Sequence, residues 1–217
     1  MQIFSNAQYN LTWVGEQSWL ITPTEKTLLP IFTAKLHASQ LPYLANITNC
    51  FTYILLEFSC DYKPLDVPEY CHQCLANIAS TPAFDVGGTT HLLPIDFSNG
   101  IDLEDLAVTC NFSIDQLQEK ILNVELNVMV NGFAPGFSYC GELPFELQVP
   151  RRATPRVNIP AGSVAIADKY LAIYPQVSPG GWHIIGHCSR CLFDLNAKQP
   201  NTLNVGDRVT FFRANEE

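Results

Sequence analysis

Three arginines fall close together in an otherwise acidic chain. Arg151, Arg152 and Arg156 lie in a short stretch that Pro150 and Pro155 punctuate. A guanidinium presents parallel N–H donors in a fixed fork, which matches the geometry of a carboxylate or a phosphate. The spacing therefore predicts either a site for an anionic substrate or ion pairs with the chain's own carboxylates. The residues alone leave these two interpretations open.

Two turn-forming segments flank the arginines. Residues 132–137 read Gly-Phe-Ala-Pro-Gly-Phe, and residues 178–182 read Ser-Pro-Gly-Gly-Trp. Glycine and proline fix tight turns, and backbone amides exposed in such turns can bind an anion. We therefore predict that four residues of the second segment bind substrate together with the arginines: Ser178, Gly180, Gly181 and Trp182. The aromatic segment predicts either a pocket or a subunit interface, formed by Phe133, Pro135 and Phe137.

Cysteine provides the other candidate chemistry. Two C-x-x-C pairs are present, Cys71 with Cys74 and Cys188 with Cys191. Zinc sites of this kind usually separate their pairs by about 15 to 20 residues, whereas these pairs fall in different predicted domains. We therefore predict free thiols and no metal site.

A nucleophilic pair of Cys140 with His183 or His187 would require proximity that a sequence cannot establish. The chain contains no G-x-S-x-G elbow, Walker A loop, H-E-x-x-H or dinucleotide-binding G-x-G-x-x-G motif. The residues alone therefore identify no catalytic side chain.

Composition limits the class of protein. Of 217 residues, 47% are hydrophobic and 15% charged, which excludes a disordered or coiled-coil chain. Twelve Lys and Arg against 21 Asp and Glu give a net charge of -9, so nucleic acid and anionic membranes are disfavoured partners. The first ten residues do not read as a secretory signal, and no apolar stretch is long enough to span a bilayer. We predict a cytoplasmic protein with reduced thiols.

The first third reads as a small α/β domain, placed at residues 1–85. A strand pair is predicted around Leu11 and Trp19, with a turn at Gly15. A helix is predicted from Pro30 to about His37, since proline is tolerated in a first helical turn. Residues 52–58 read as a strand buried on nearly both faces, and residues 70–78 as a helix.

Residues 86–217 read as a second domain. Helices are predicted over residues 102–108 and 113–122, the second beginning with a capping box of Ser113 and Gln116. Residues 124–130 alternate as a strand with one wet face. The rest consists of short apolar segments broken by proline and glycine, a pattern typical of a β-barrel or sandwich.

Four segments of this second domain carry a resemblance to a known family. They are GFAPGFSYCGELP (132–144), PRRATPRVNIPAGSVAIA (150–167), IYPQVSPGGWHIIGHCSRCLFD (173–194) and GDRVTF (206–211). Together they resemble the B subunit of the bacterial ATP-dependent 5-oxoprolinase, a family that includes the Kip-type inhibitor of a sporulation histidine kinase.

The resemblance implies an α+β protein, with a small α/β N-terminal domain followed by a cyclophilin-like β-barrel. It implies a hydrolase complex with subunits C and A that opens the lactam 5-oxo-L-proline to L-glutamate, with ATP as co-substrate and Mg²⁺ as its ion. It also leaves two alternatives: a regulatory protein that binds a histidine kinase, and a subunit of an allophanate or urea carboxylase-type carboxyltransferase.

Several positions depart from the pattern of the family. The loop at residues 97–103 is shortened and lacks paired glycines, and a histidine usually found near Ile121 is missing. The glycine that usually follows the SVAIA stretch is Asp168, and the arginine that usually follows a later Ile-Gly is His187.

Overall fold

The computed structural model describes residues 3–25, 28–75 and 88–214. The chain divides into two compact units, Met1–Gly87 and Gly88–Glu217. The predicted boundary between residues 85 and 86 lies outside the described residues. None of the described helices is long and apolar enough to cross a membrane.

The N-terminal unit is a five-stranded antiparallel sheet with two helices. The sheet order is β1-β2-β3-β5-β4. The helix predicted from Pro30 is confirmed, and Phe32 and Leu36 on it are buried in the unit's core. The elements are β1 (Ile3–Ser5), β2 (Tyr9–Gly15), β3 (Ser18–Pro23), α1 (Leu29–Ala38), β4 (Leu44–Asn49), β5 (Ile54–Phe58) and α2 (Val67–Leu75).

The C-terminal unit contains a seven-stranded sheet of order β13-β10-β11-β8-β7-β14-β6 and a two-stranded ribbon of β9 and β12. Its elements are β6 (Thr90–Ile95), α3 (Leu103–Thr109), α4 (Ile114–Leu122), β7 (Leu126–Asn131), β8 (Ser138–Gly141), β9 (Arg156–Ile159), β10 (Ser163–Ala167), β11 (Tyr170–Ile173), β12 (Ser178–Gly180), β13 (His183–His187) and β14 (Arg208–Arg213).

The large sheet nearly closes on itself. Its first and last strands meet at Asp96 and His187, whose backbones exchange two hydrogen bonds of 2.8 and 2.9 Å. A bridge between the two ends of one sheet makes it a barrel-like structure. Together with the helices, it confirms the predicted α+β class with a barrel-like second domain.

Alternation along the strands creates two hydrophobic cores in this unit. On β10, Val164 and Ile166 belong to a large core that also contains residues of α3 and α4. Ala165 and Ala167 belong to a smaller core with Phe137, Tyr174 and Trp182. Strand β10 is therefore buried on both faces, and the smaller core places aromatic side chains next to the ribbon of β9 and β12.

The predicted capping box at the start of α4 is present. The Ser113 hydroxyl accepts a hydrogen bond from the Gln116 amide at 3.1 Å, and the Gln116 side chain accepts one from the Ser113 amide at 2.9 Å. These reciprocal bonds satisfy two N–H groups that a helix start leaves without partners. Leu117 and Ile121 then face the large core.

Candidate functional site

A buried carboxylate, Asp102, holds two of the three predicted arginines. Its Oδ1 accepts a hydrogen bond from Arg152 Nη1 at 2.6 Å and one from Arg156 Nη2 at 2.6 Å. Its Oδ2 accepts from Arg156 Nη1 at 2.7 Å, so Arg156 binds with both arms of its fork. The Asp102 side chain is only 2% exposed. Arg152 and Arg156 therefore form ion pairs with the chain's own carboxylate.

Asp102 also joins helix α3 to strand β13. The Ile184 amide donates to Asp102 Oδ2 at 2.7 Å, and the Asp102 amide donates to the Ile184 carbonyl at 3.0 Å. Asp102 occupies the N-cap position of α3, yet its side chain makes no capping bond to that helix. The carboxylate is turned instead toward the arginines and β13.

The electrostatics of Asp102 follow from these contacts. Burial raises its pKa, but the hydrogen bonds from Arg156 and Ile184 and the charges of Arg156 and Arg152 outweigh burial and lower the pKa below its usual value. The bond to Asp102 in turn raises the pKa of Arg156. The cluster therefore stays ionised at neutral pH and carries one positive charge in excess.

The arginine segment is fixed to the glycine-rich segment by its backbone. The Arg152 amide donates to the Gly181 carbonyl at 2.8 Å, and Gly180 pairs with Arg156 in the ribbon of β9 and β12. His183 Nε2 lies 2.9 Å from the Pro150 carbonyl, and a carbonyl only accepts, so this ring nitrogen carries the hydrogen. The structure thus brings together two segments that the sequence separates.

Gly180 is required by a close approach. A Cβ added there would lie 2.3 Å from the Tyr174 hydroxyl, whereas one added at Gly181 would meet nothing nearer than 3.7 Å. Ser178 is half-buried and pairs with Ile159 toward the other end of the ribbon. Ser178, Gly180 and Gly181 therefore contact the rest of the chain through strand pairing and close packing.

An aromatic cluster lies beside the ribbon and consists of Phe137, Tyr139, Tyr174 and Trp182. Measured from the Phe137 ring, the centroids of the other three lie 5.0 to 5.8 Å away, all close to edge-on. Edge-to-face contacts of this length are favourable between aromatic rings. Phe137 and Trp182 are buried, so the cluster is packed into the smaller core.

The remaining aromatic prediction lies on the surface. Phe133 is 64% exposed, and its ring centroid lies 5.1 Å from that of Phe137. Its backbone adopts a left-handed φ of 73°, which is unusual for a bulky side chain. Pro135, in the same turn, is exposed. This turn therefore extends the aromatic cluster to the surface of the unit.

Arg151 differs from its two neighbours because its side chain is 61% exposed. Its Nε lies 3.3 Å from Asp168 Oδ2, and Asp168 is the one carboxylate paired with it among the residues that the structure describes. Burial raises the pKa of Tyr139 and brings that of Tyr174 to about 12, while the charge of Arg151 lowers both. Arg151 is therefore a surface guanidinium whose charge acts on two phenols of the aromatic cluster.

Cys140, considered above as half of a nucleophilic pair, is not a suitable nucleophile. Cys140 is 1% exposed in the large core, and burial raises the pKa of its thiol to about 12. A thiol this reluctant to ionise is a poor nucleophile at neutral pH. All eight cysteines are free thiols. Over residues 3–25, 28–75 and 88–214, no three His, Cys, Asp or Glu side chains are grouped to hold a metal ion.

Sequence reasoning missed four residues of this site: Asp102, Tyr139, Tyr174 and Asp168. An acidic chain with clustered arginines implies that some carboxylate pairs with them, but 50 residues separate Asp102 from Arg152. The tyrosines flank the glycine-rich segments without a recognisable period. One local feature of the sequence did point to the site: Asp168 stands where the family usually has glycine, and it is the residue that pairs with Arg151.

A family model matches most of the chain. Residues 9–203 match the family described as carboxyltransferase domain, subdomain C and D. This range includes the two arginines held by Asp102, the ribbon and the aromatic cluster.

Curated relatives share a common name. A protein of Escherichia coli O157:H7 named as the B subunit of 5-oxoprolinase is 46% identical over 114 residues, which is 52% of this chain and 52% of that protein. A protein of Haemophilus influenzae with the same name is 37% identical over 160 residues, or 73% of each. The matched region thus spans about half the length of the first relative.

A solved structure shows the same fold. The crystal structure of TTHA0988 superposes with a TM-score of 0.79 at 23% identity, and the match covers 93% of this chain and 40% of that one. At this level of identity the likeness concerns the fold.

Proposed function

This chain belongs to the family of carboxyltransferase domains, subdomain C and D, and we propose that it is the B subunit of an ATP-dependent 5-oxoprolinase. Such an enzyme opens the lactam ring of 5-oxo-L-proline to give L-glutamate while it hydrolyses ATP. The shared name of the Escherichia coli and Haemophilus influenzae relatives supports this proposal.

The observation that carries the proposal is the position of Arg151. Its guanidinium is largely exposed and its charge lowers the pKa of two phenols of the aromatic cluster, while Arg152 and Arg156 are held by Asp102. The substrate 5-oxo-L-proline is a small ring with one carboxylate. In the proposal, Arg151 binds that carboxylate through its guanidinium.

In the proposal, the phosphorylation of the lactam and the cleavage of its C–N bond are carried out by the whole complex. ATP phosphorylates the lactam oxygen and leaves as ADP, water adds to the ring carbon, and the C–N bond then breaks to give a free amine and an acyl phosphate. With the hydrolysis of the acyl phosphate, two water molecules are consumed, and the products are L-glutamate, ADP and phosphate. The role proposed for this chain is to bind and orient the substrate, since the described carboxylates of the site are paired with arginines.

Subunits C and A are the proposed partners, and ATP with Mg²⁺ is the proposed co-substrate of the complex. No step is assigned to Mg²⁺ on this chain, because its described carboxylates at the site are paired with arginines. We also propose the cytoplasm as the compartment, where the eight free thiols stay reduced.

The test is reconstitution with omission of single subunits. Glutamate released from 5-oxo-L-proline is measured with ATP for the purified chain alone, for the chain with subunits A and C, and for A and C without it. We expect the full mixture to release glutamate. We expect most or all of this release to be lost when this chain is left out. Equal release without this chain would refute the proposal.

A carboxyltransferase subunit is the second candidate, favoured by the family to which the chain belongs. It predicts transfer of a carboxyl group between biotin and a urea-type amide by the complex. The same reconstituted complex, supplied with carboxybiotin and urea, distinguishes the two, because the first function requires no biotin.

A further inference from the structure

Asp168 holds a carboxylate against the one exposed guanidinium of the site. Its Oδ2 lies 3.3 Å from Arg151 Nε, and the two side chains are 53% and 61% exposed. The contact is made by Nε, so the Asp168 carboxylate lies directly beside the guanidinium of Arg151. A ligand carboxylate at Arg151 would therefore lie next to a like charge.

The backbone at Asp168 has a conformation that glycine adopts freely and that aspartate tolerates better than most residues. Its φ is 53°, in the left-handed region that glycine adopts freely, and it lies in the turn that joins β10 to β11. The turn is held because the Asp168 amide donates to the Val149 carbonyl at 2.6 Å. Glycine would satisfy this backbone without strain, so the distinctive contribution of Asp168 is its carboxylate.

Other charged groups nearby are already paired or neutral. Lys169, the next residue, forms an ion pair with Glu142. The phenols of Tyr139 and Tyr174 have raised pKa values and are neutral at pH 7. Within the part of the chain that the structure describes, Asp168 is therefore the carboxylate that opposes a negative ligand at Arg151.

We infer that Asp168 is a specificity-determining residue that weakens the binding of anionic ligands to Arg151. It lowers the preference of the site for a lactam that carries a carboxylate over a neutral lactam of the same ring. This holds whether a ligand binds the terminal nitrogens beside Asp168 or displaces Asp168 from Nε. The inference rests on the proposed function for the identity of the lactam.

The experiment uses the assembled complex with Asp168→Asn, which keeps the shape and tolerates a left-handed φ. KM is measured for 5-oxo-L-proline. The inhibition constant is measured for 2-pyrrolidinone, the neutral lactam of the same ring. We expect Asp168→Asn to bind the anionic lactam about two- to fivefold more tightly, because exposed ion pairs are weak, and to bind 2-pyrrolidinone unchanged. The gain should shrink in high salt.

Two further variants complete the design. Asp168→Gly removes both the charge and the strain, and should give the same gain. Asp115→Asn removes one exposed charge from the first turn of α4, has no contact with Arg151 among the described residues, and should leave binding unchanged. Equal changes for both lactams, or for Asp115→Asn and Asp168→Asn, would overturn the inference.

A second readout is independent of turnover. The NMR signal of the Arg151 Nε–H, assigned through Arg151→Lys, should shift in Asp168→Asn, and acetate should then bind two- to fivefold more tightly at this signal, about the effect expected of an exposed charge. If the wild-type complex turns over no 5-oxo-L-proline, the proposed function fails while this titration still tests Asp168. An unchanged signal and acetate affinity would refute the inference.

Discussion

Asp102 and Ile184 are bonded to each other twice, backbone to backbone and backbone to side chain. The Asp102 amide donates to the Ile184 carbonyl at 3.0 Å, and the Ile184 amide donates to Asp102 Oδ2 at 2.7 Å. Because the same carboxylate binds Arg152 and Arg156, one side chain joins helix α3, strand β13 and the arginine segment. The position of Arg151 therefore depends on a residue 49 positions earlier in the chain.

Replacement of Asp102 should destabilise the fold. Asp102→Asn keeps the shape but leaves two partly buried guanidiniums without a counter-ion, which should lower the free energy of unfolding by about 3 kcal/mol. Urea denaturation measures this difference. Asp115→Asn serves as the control and should change stability by less than about 0.5 kcal/mol. A similar small change for Asp102→Asn would contradict the assigned role.

The same residue predicts a dependence of stability on pH. The pKa of Asp102 is lowered in the folded state relative to an unfolded value near 3.9. Its contribution is therefore fully present above about pH 4 and lost as the pH falls through the folded-state pKa. The stabilities of wild type and Asp102→Asn should converge as the pH drops below about 4, and a constant difference down to pH 2 would contradict this.

Substitution of Arg156 should lower the stability of the fold, whereas substitution of Arg151 should leave it nearly unchanged. Arg156→Ala removes a two-armed partner from a buried carboxylate and should cost about 2 to 3 kcal/mol of unfolding free energy. Arg151→Ala removes a side chain that is 61% exposed, so the cost should be below about 0.5 kcal/mol. Equal losses of stability for the two variants, measured by thermal or urea unfolding, would show that their roles are not distinct.

Gly180 and Gly181 form a matched pair. An alanine Cβ at residue 180 would lie 2.3 Å from the hydroxyl of the buried Tyr174, whereas at residue 181 the nearest atoms are 3.7 Å away. Gly180→Ala should therefore cost about 1 to 3 kcal/mol through overpacking. Gly181→Ala should change stability by less than about 0.5 kcal/mol, and the opposite order would contradict the packing described.

Thiol labelling should distinguish the cysteines. Cys60 and Cys191 are exposed, whereas Cys140 is buried with a thiol pKa raised to about 12. Iodoacetamide at neutral pH should modify the first two in minutes and leave Cys140 intact until the protein unfolds. Mass spectrometry of the labelled peptides reads the result. Rapid labelling of Cys140 in the native protein would reopen the case for a cysteine nucleophile.

Local features of this chain were predictable because their signals are local. The capping box at Ser113 and the proline at the start of α1 require interactions within one helical turn, and both helices form as predicted. The alternation of Leu126, Val128 and Val130 likewise gives a strand with one face buried. Each of these elements depends on neighbours only a few residues away.

The organisation of the site was not predictable in the same way. Whether Arg152 and Arg156 bind a substrate or the chain's own carboxylate depends on Asp102, which reaches them only because the barrel folds α3 against β13. No periodicity links residues 50 positions apart. The clustered arginines marked the region, and tertiary contacts decided which guanidinium stays exposed.

In the proposed function Arg151 binds the carboxylate of the lactam, and steady-state kinetics of the reconstituted complex measure this binding. We expect Arg151→Ala to raise KM for 5-oxo-L-proline about tenfold or more, since a hydrogen bond to a charged group contributes about 1.5 to 3 kcal/mol. Inhibition by the neutral lactam 2-pyrrolidinone should be unchanged, and Arg151→Lys should recover part of the loss. An unchanged KM in Arg151→Ala, in a complex that releases glutamate, would contradict the account.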